Sequence, residues 1–221
     1  MNLTIKKLNK MKSFIKSANS IIENEGIQKA TARNIAKKAG YNISTIYNYF
    51  DDLDHLIFFT KISRLGPYSN KLSKEITDSM SPLERFLKIW EVFANEAFNH
   101  PKTFYDLFFS KYSKNLSNSL RIFYEIFPNK LNVTHDRLVE MLNESNIYKR
   151  NMTLIEDCLE NGCFIDKENA DNINEIMVIT FRGLLDKYME SEKNDPEKYT
   201  QKYMTYLNNI IRLETKKISD S

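Results

Sequence analysis

A chain of 221 residues that is 42% hydrophobic, with only 5 glycines and 5 prolines, can bury a sizeable core. It has too little punctuation for a sandwich or barrel, so an all-α fold is expected. The net charge of +3 is unevenly spread: residues 1–50 hold nine Lys and Arg against two Glu, a local +7 that leaves −4 for the remainder. A basic head on a mildly acidic body is the footprint of a duplex-binding module joined to a separate domain. No apolar run approaches the roughly 20 residues of a membrane helix, and the lysine-rich start leads into an amphipathic pattern, so a cytoplasmic protein without a membrane partner is expected.

From about Leu8 to Glu25, Met11, Phe14, Ile15, Ala18, Ile21 and Ile22 keep helical spacing, and Gly26 ends the helix. Thr31 is placed to cap a second helix whose Ile35, Ala36 and Ala39 face inward. Gly40 stands where the chain must reverse. A third helix follows from about Ile43 to Tyr49, with Ile46 and Phe50 turned to the core. Ser44, Thr45, Tyr47, Asn48 and Tyr49 are left facing outward, an exposed set of hydroxyls, an amide and aromatics suited to phosphates and base edges. The stretch Thr31–Phe50 thus reads as a helix-turn-helix.

Asp52 can cap a fourth helix, about 52–65, built on Leu53, Leu56, Ile57, Phe59 and Ile62, with Gly66-Pro67 as a kink or stop. This helix would connect a head, residues 1–51, to a larger helical body, 66–221. In the body, Ser81-Pro82-Leu83-Glu84 is a capping box with Pro at the first helical position, starting a helix that runs to about Asn99. Pro101 opens the next, through Tyr112, and others are expected near 116–127, 136–143, 149–160 and 167–190, with a last one from Asp195-Pro196-Glu197 towards Leu213. The total is about nine to eleven helices. In the long helix Ile173, Ile176, Met177, Thr180, Gly183 and Leu184 form a seam, and Gly183 permits close approach of another helix.

Catalytic chemistry finds little support. His55, His100 and His135 are isolated, and there is no Gly-rich phosphate loop, nucleophile elbow or HExxH pattern. Cys158 and Cys163, five residues apart, suit core packing better than a disulfide or a metal. Neither a metal nor a cofactor is expected.

The segment Gly26–Phe50, GIQKATARNIAKKAGYNISTIYNYF, resembles the DNA-binding head of TetR-family transcriptional regulators. Ile22, Gly26, Thr31, Ile35, Ala36, Ala39, Gly40, Thr45, Ile46, Tyr47, Tyr49 and Phe50 stand where that family's pattern has such residues. The resemblance covers about the first quarter of the chain. It implies that Thr31, Tyr47 and Tyr49 hold phosphates, that Arg33, Ser44, Thr45 and Asn48 reach base edges, and that Ile43 meets a thymine methyl, while Lys37, with Lys6, Lys7 and Lys38, is a candidate for further affinity for the duplex. Leu53 stands where many members carry a phosphate-gripping lysine, and Asp51 and Asp52 precede it.

By the same analogy the body should hold a ligand cavity and dimerise through its last helices. Tyr68, Phe86, Trp90, Phe93, Phe98, Phe104, Phe108, Phe109, Tyr112, Phe123, Tyr124 and Phe127 are candidates to line the cavity. Ile155 and the Ile173–Leu184 seam are candidates for the dimer interface. The expectation is a ligand-responsive regulator, a repressor, whose partners are a near-palindromic double-stranded operator, a second copy of itself and a small apolar or amphipathic effector. A non-catalytic helical scaffold protein with a vestigial head is the alternative.

Overall fold

The computed structural model describes residues 4–128, 136–162, 167–192 and 194–219. The helices in order are α1 Ile5–Glu25, α2 Ala32–Ala39, α3 Ile43–Ile46, α4 Leu53–Ile62, α5 Leu65–Glu75 and α6 Pro82–Asn99. They continue with α7 Pro101–Phe109, α8 Leu116–Ile126, α9 Asp136–Asn143, α10 Ile147–Glu160, α11 Ala170–Glu190 and α12 Pro196–Ser219. There is no strand among the described residues, and none of their helices is long and apolar enough to cross a membrane. The chain falls into two compact units, Met1–Leu65 with Asn118–Leu131, and Gly66–Ser117 with Asn132–Ser221.

In the first unit α1 packs against α2 and α4. Phe14, Ile15, Ala18, Ile35, Ile46, Phe50, Leu56 and Phe59 are all buried to 1% exposure or less, which joins the four helices around one small core. The ring of Phe14 is its centre, 5.2 Å from Tyr41 and 6.5 Å edge-on to Phe50. Gly40 takes the left-handed conformation at φ 77° and its N–H closes onto the carbonyls of Ala36 and Lys37, ending α2. A side chain at that φ would be strained, so the tight reversal into α3 depends on glycine.

The third helix is shorter than the expected span of 43–49. Beyond Ile46 it unwinds into turns in which Asn48 N–H donates to Thr45 O at 3.3 Å and Tyr49 N–H to Ile46 O at 3.0 Å. Ile43, Thr45, Ile46, Tyr47 and Asn48 are β-branched, aromatic or amide residues with weak helix preference, which accounts for the early fraying.

In the second unit α6 is central, packed against α7, α10, α11 and α12. Its start follows the sequence signal: Ser81 Oγ accepts from Glu84 N–H at 3.3 Å while Glu84 Oε2 accepts from Ser81 N–H at 2.9 Å. The Ser81 N–H and the Ser81 hydroxyl, which donates to Glu84 Oε2 at 2.8 Å, hold the Glu84 carboxyl below its usual range. An aromatic cluster fills the core, with Phe181 5.1 Å from Phe93, 5.6 Å from Trp90 and 5.0 Å from Tyr203. Arg85, 3.1 Å from the nearly buried Asp157, ties α6 to α10.

Helix α5 had no counterpart among the expected elements. Gly66 and Pro67 fall in its first turn, where Pro lacks nothing the helix needs, and Leu65, Tyr68 and Leu72 are buried along one side. Cys158 is a buried thiol of α10, while Cys163 and His135 lie outside the described residues.

Candidate functional site

On the head, two adjoining elements carry the exposed polar face. Thr31 Oγ1 accepts from Asn34 N–H at 3.3 Å, capping α2, so its hydroxyl proton remains available to an acceptor. Arg33 and Lys37, one turn apart on α2, are both exposed. At the start of α3, Ile43 is 40% exposed with Ser44 exposed beside it, and Thr45 is half-buried. Tyr47 is 50% exposed and Asn48 is exposed. Tyr49 is half-buried, its ring 6.4 Å from that of Phe14, which fixes the phenol at the edge of the same face. Ile46 and Phe50, by contrast, are core.

Of the acidic residues that follow, Asp52 is committed to local structure, while Asp51 and Asp54 are exposed. Asp52 Oδ1 accepts from His55 N–H at 2.8 Å and caps α4, and Asp51 Oδ2 is 3.3 Å from His55 Nδ1. Leu53 is half-buried in the first turn of α4. A carboxylate that caps a helix has its charge partly neutralised by the N-terminal dipole, which reduces its repulsion of a nearby phosphate.

In the body, a cavity of about 30 Å³ is lined by Tyr68, Ile89, Trp90, Phe93, Phe108, Met141, Ile147, Arg150, Asn151 and Leu154. That is space for one or two waters. Its polar groups are fixed in place. The Trp90 indole N–H donates to Asn151 Oδ1 at 2.8 Å, Asn151 Nδ2 donates to Asn174 Oδ1 at 3.0 Å, and Asn174 Nδ2 donates to Tyr148 O at 2.9 Å. Arg150, 5% exposed, donates from Nη2 to Leu142 O at 2.7 Å and lies 5.3 Å over the Phe108 ring. Burial drives the Tyr68 phenol pKa far above the usual tyrosine range. Among the described residues no group of three or more His, Cys, Asp or Glu is arranged as a metal site.

Residues 14–58, from the middle of α1 through α4, match the family model of bacterial regulatory proteins of the TetR family. The chain carries a TetR-family head. The family resemblance and the all-helical fold expected from the sequence both hold. Solved structures extend the likeness to the whole fold. One is a TetR-family transcriptional repressor of Thermus thermophilus, FadR, in complex with lauroyl-CoA, 14% identical with a TM-score of 0.58 over 90% of this chain and 93% of that one. A TetR transcription regulator from Haloarcula marismortui is 15% identical at a TM-score of 0.53, covering 93% and 98%. RolR in complex with resorcinol is 13% identical at 0.51, covering 95% of each chain. No curated protein matches in sequence.

The TetR-type head therefore brings Thr31, Arg33, Lys37, Ile43, Ser44, Thr45, Tyr47, Asn48 and Tyr49 to two consecutive elements with accessible or edge positions. In the body the candidates separate. Trp90, Phe93 and Phe108 line the cavity, whereas Phe104 is buried behind them, 6.1 Å from Tyr68 and 5.6 Å from Phe93. Tyr112 is half-buried beneath Lys111 and is not in the lining. Phe123 and Phe127 belong to the other unit, where Lys12 sits 5.5 Å over the Phe127 ring.

The proposed interface residues separate too. Ile155, Ile173, Met177 and Leu184 are buried in the protomer's own core, which removes them from any outer surface. Ile176, at 50% exposure, and Gly183 are exposed and Thr180 is half-buried, and Ile179, at 54%, joins them at helical spacing. On α12, Tyr206 is 38% and Leu213 64% exposed. The lining residues the sequence reading missed are Ile89 of α6 and Met141, Ile147, Arg150, Asn151 and Leu154 of α9 and α10. The signal for them was Arg150-Asn151 set in the inward stripe of Ile147, Leu154 and Cys158.

Proposed function

We propose that this chain is a transcriptional repressor that grips a near-palindromic operator as a homodimer and is released when a small apolar or amphipathic molecule enters the body cavity. The observation that carries the reading is the exposed face of α2, α3 and the turn after it on a basic head: Arg33 and Lys37, then Ser44, Tyr47 and Asn48. Arg forks to guanine, Asn pairs with adenine, and the hydroxyls and lysines hold phosphates. One such head reads a few base pairs, so useful specificity requires two related half-sites and a two-fold dimer.

The large apolar side chains exposed on α11 and α12 support self-association there, since a soluble protomer rarely leaves such a stripe uncovered. The wall of aromatics with a few fixed polar groups suits a small effector that parts the lining side chains as it enters, since the cavity itself holds only one or two waters. Two proteins of this fold bind lauroyl-CoA and resorcinol, in keeping with that use.

The test is a mobility shift of the gene's own upstream DNA by the full-length protein, competed with random duplex. Sequence-selective binding that weakens with salt at a slope of about −0.9 per phosphate contacted is expected. Binding indifferent to both sequence and salt would overturn the proposal and leave a helical scaffold protein.

A further inference from the structure

We infer that the body cavity, widened as its lining parts, recognises the oxyanion end of a small amphiphile, a carboxylate on an apolar body, with Tyr68 and Arg150 as the recognising groups; this rests on the cavity being the effector site. Tyr68 is 2% exposed on the cavity lining, and among the described residues its hydroxyl has no hydrogen-bond partner. Buried hydroxyls are ordinarily bonded, so an unsatisfied one beside a cavity is a donor waiting for an acceptor. The raised pKa keeps it protonated, hence a donor, at all physiological pH.

Arg150 supplies the charge. The Leu142 carbonyl, 2.7 Å from Nη2, and the Glu144 carbonyl, 3.4 Å from Nε, orient its guanidinium, and the Phe108 face lies against it. It is close enough that its charge eases ionisation of the Tyr68 phenol, while Glu96, 3.5 Å from Lys71, acts in the opposite sense. The remaining wall is apolar: Ile89, Trp90, Phe93, Met141, Ile147 and Leu154. A cationic ligand would meet Arg150 unfavourably, and a purely apolar one would leave the phenol unsatisfied. An oxyanion on an apolar body answers both groups, and the charge-assisted bonds are the stronger kind.

The experiment is calorimetry and thermal shift on the full-length protein with benzoate and octanoate, each beside its neutral amide. At least one acid should bind about tenfold or more tightly than its amide, the size expected for a hydrogen bond to a charged group. Tyr68→Phe should lose most of that preference by weakening the acid and sparing the amide. Because the hydroxyl has no partner in the free protein, Tyr68→Phe should also melt no lower than the parent. Equal affinity for acid and amide, unchanged acid affinity in Tyr68→Phe, or no binding of either acid overturns the inference. Neutral compounds that release operator DNA while the acids do not would leave the effector reading standing and remove this one. An acid that binds the body without altering operator affinity would do the reverse.

Discussion

Gly40 sets the angle between the two elements that carry the head's exposed polar face, and its contribution is conformational alone. A Cβ built there meets nothing within 4 Å, so Gly40→Ala introduces no clash, only the cost of holding φ 77°. Left-handed backbone costs an L-residue about 1–2 kcal/mol, and urea unfolding should show a loss of that size. Nearby, the proposed docking gives Asn48 a base edge to read and Tyr47 a phosphate to grip. Asn48→Ala should alter base preference at one position of each half-site and cost about 1 to 3 kcal/mol there. Tyr47→Phe should weaken every duplex similarly. Affinities measured across a set of single-base operator variants distinguish the two, and unchanged preference in Asn48→Ala would remove the base contact. These side chains were legible in the sequence because inward Ile46 and Phe50 determine which positions are left outside. Arg150 was missed, since a long cation is ordinarily solvent-facing, and its place in the inward stripe of Ile147, Leu154 and Cys158 is a weak signal beside its burial at 5% exposure.

Helix α11 shows why a seam read from spacing needs the fold to divide it. Its apolar residues run more than halfway round the helix, and sequence alone cannot say which side meets the protomer and which a second copy. Packing against α6, α7, α10 and α12 takes Ile173, Met177, Phe181 and Leu184 inward, and Ile176 and Ile179 remain outside. Ile176→Arg together with Ile179→Arg should therefore give a folded monomer by sedimentation, with little change in melting of the dilute protein. Ile173→Arg should instead lower stability by several kcal/mol, because it buries an unpaired charge. A persistent dimer in the double variant would place the interface elsewhere. The capped starts of α2, α4 and α6 were all visible as Thr31, Asp52 and Ser81-Pro82-Leu83-Glu84, since a cap is a local bond between residues three apart. Helix α5 was hidden by its Gly66-Pro67 start, which reads as a break until its position in the first turn is known.

For the whole molecule, the +7 of the first 50 residues against −4 in the rest means that duplex affinity should be far more salt-sensitive than the net charge suggests. Lys37→Gln, if Lys37 meets a phosphate, should lower the logarithmic salt slope by about 1 without changing sequence preference; a slope that does not move removes that contact. The molecule also carries an optical consequence of its core. Trp90 is the only tryptophan, buried at 3%, wedged between Phe93, Phe181 and Tyr203, with its indole N–H on Asn151 and one side on the cavity. Indole emission from this protein therefore originates in a single environment in the second unit. The head contributes only tyrosine light, so partial melting of the DNA-reading module would pass unseen at tryptophan wavelengths, whereas a molecule pushing into the cavity would displace the fluorophore's immediate neighbours and change its colour.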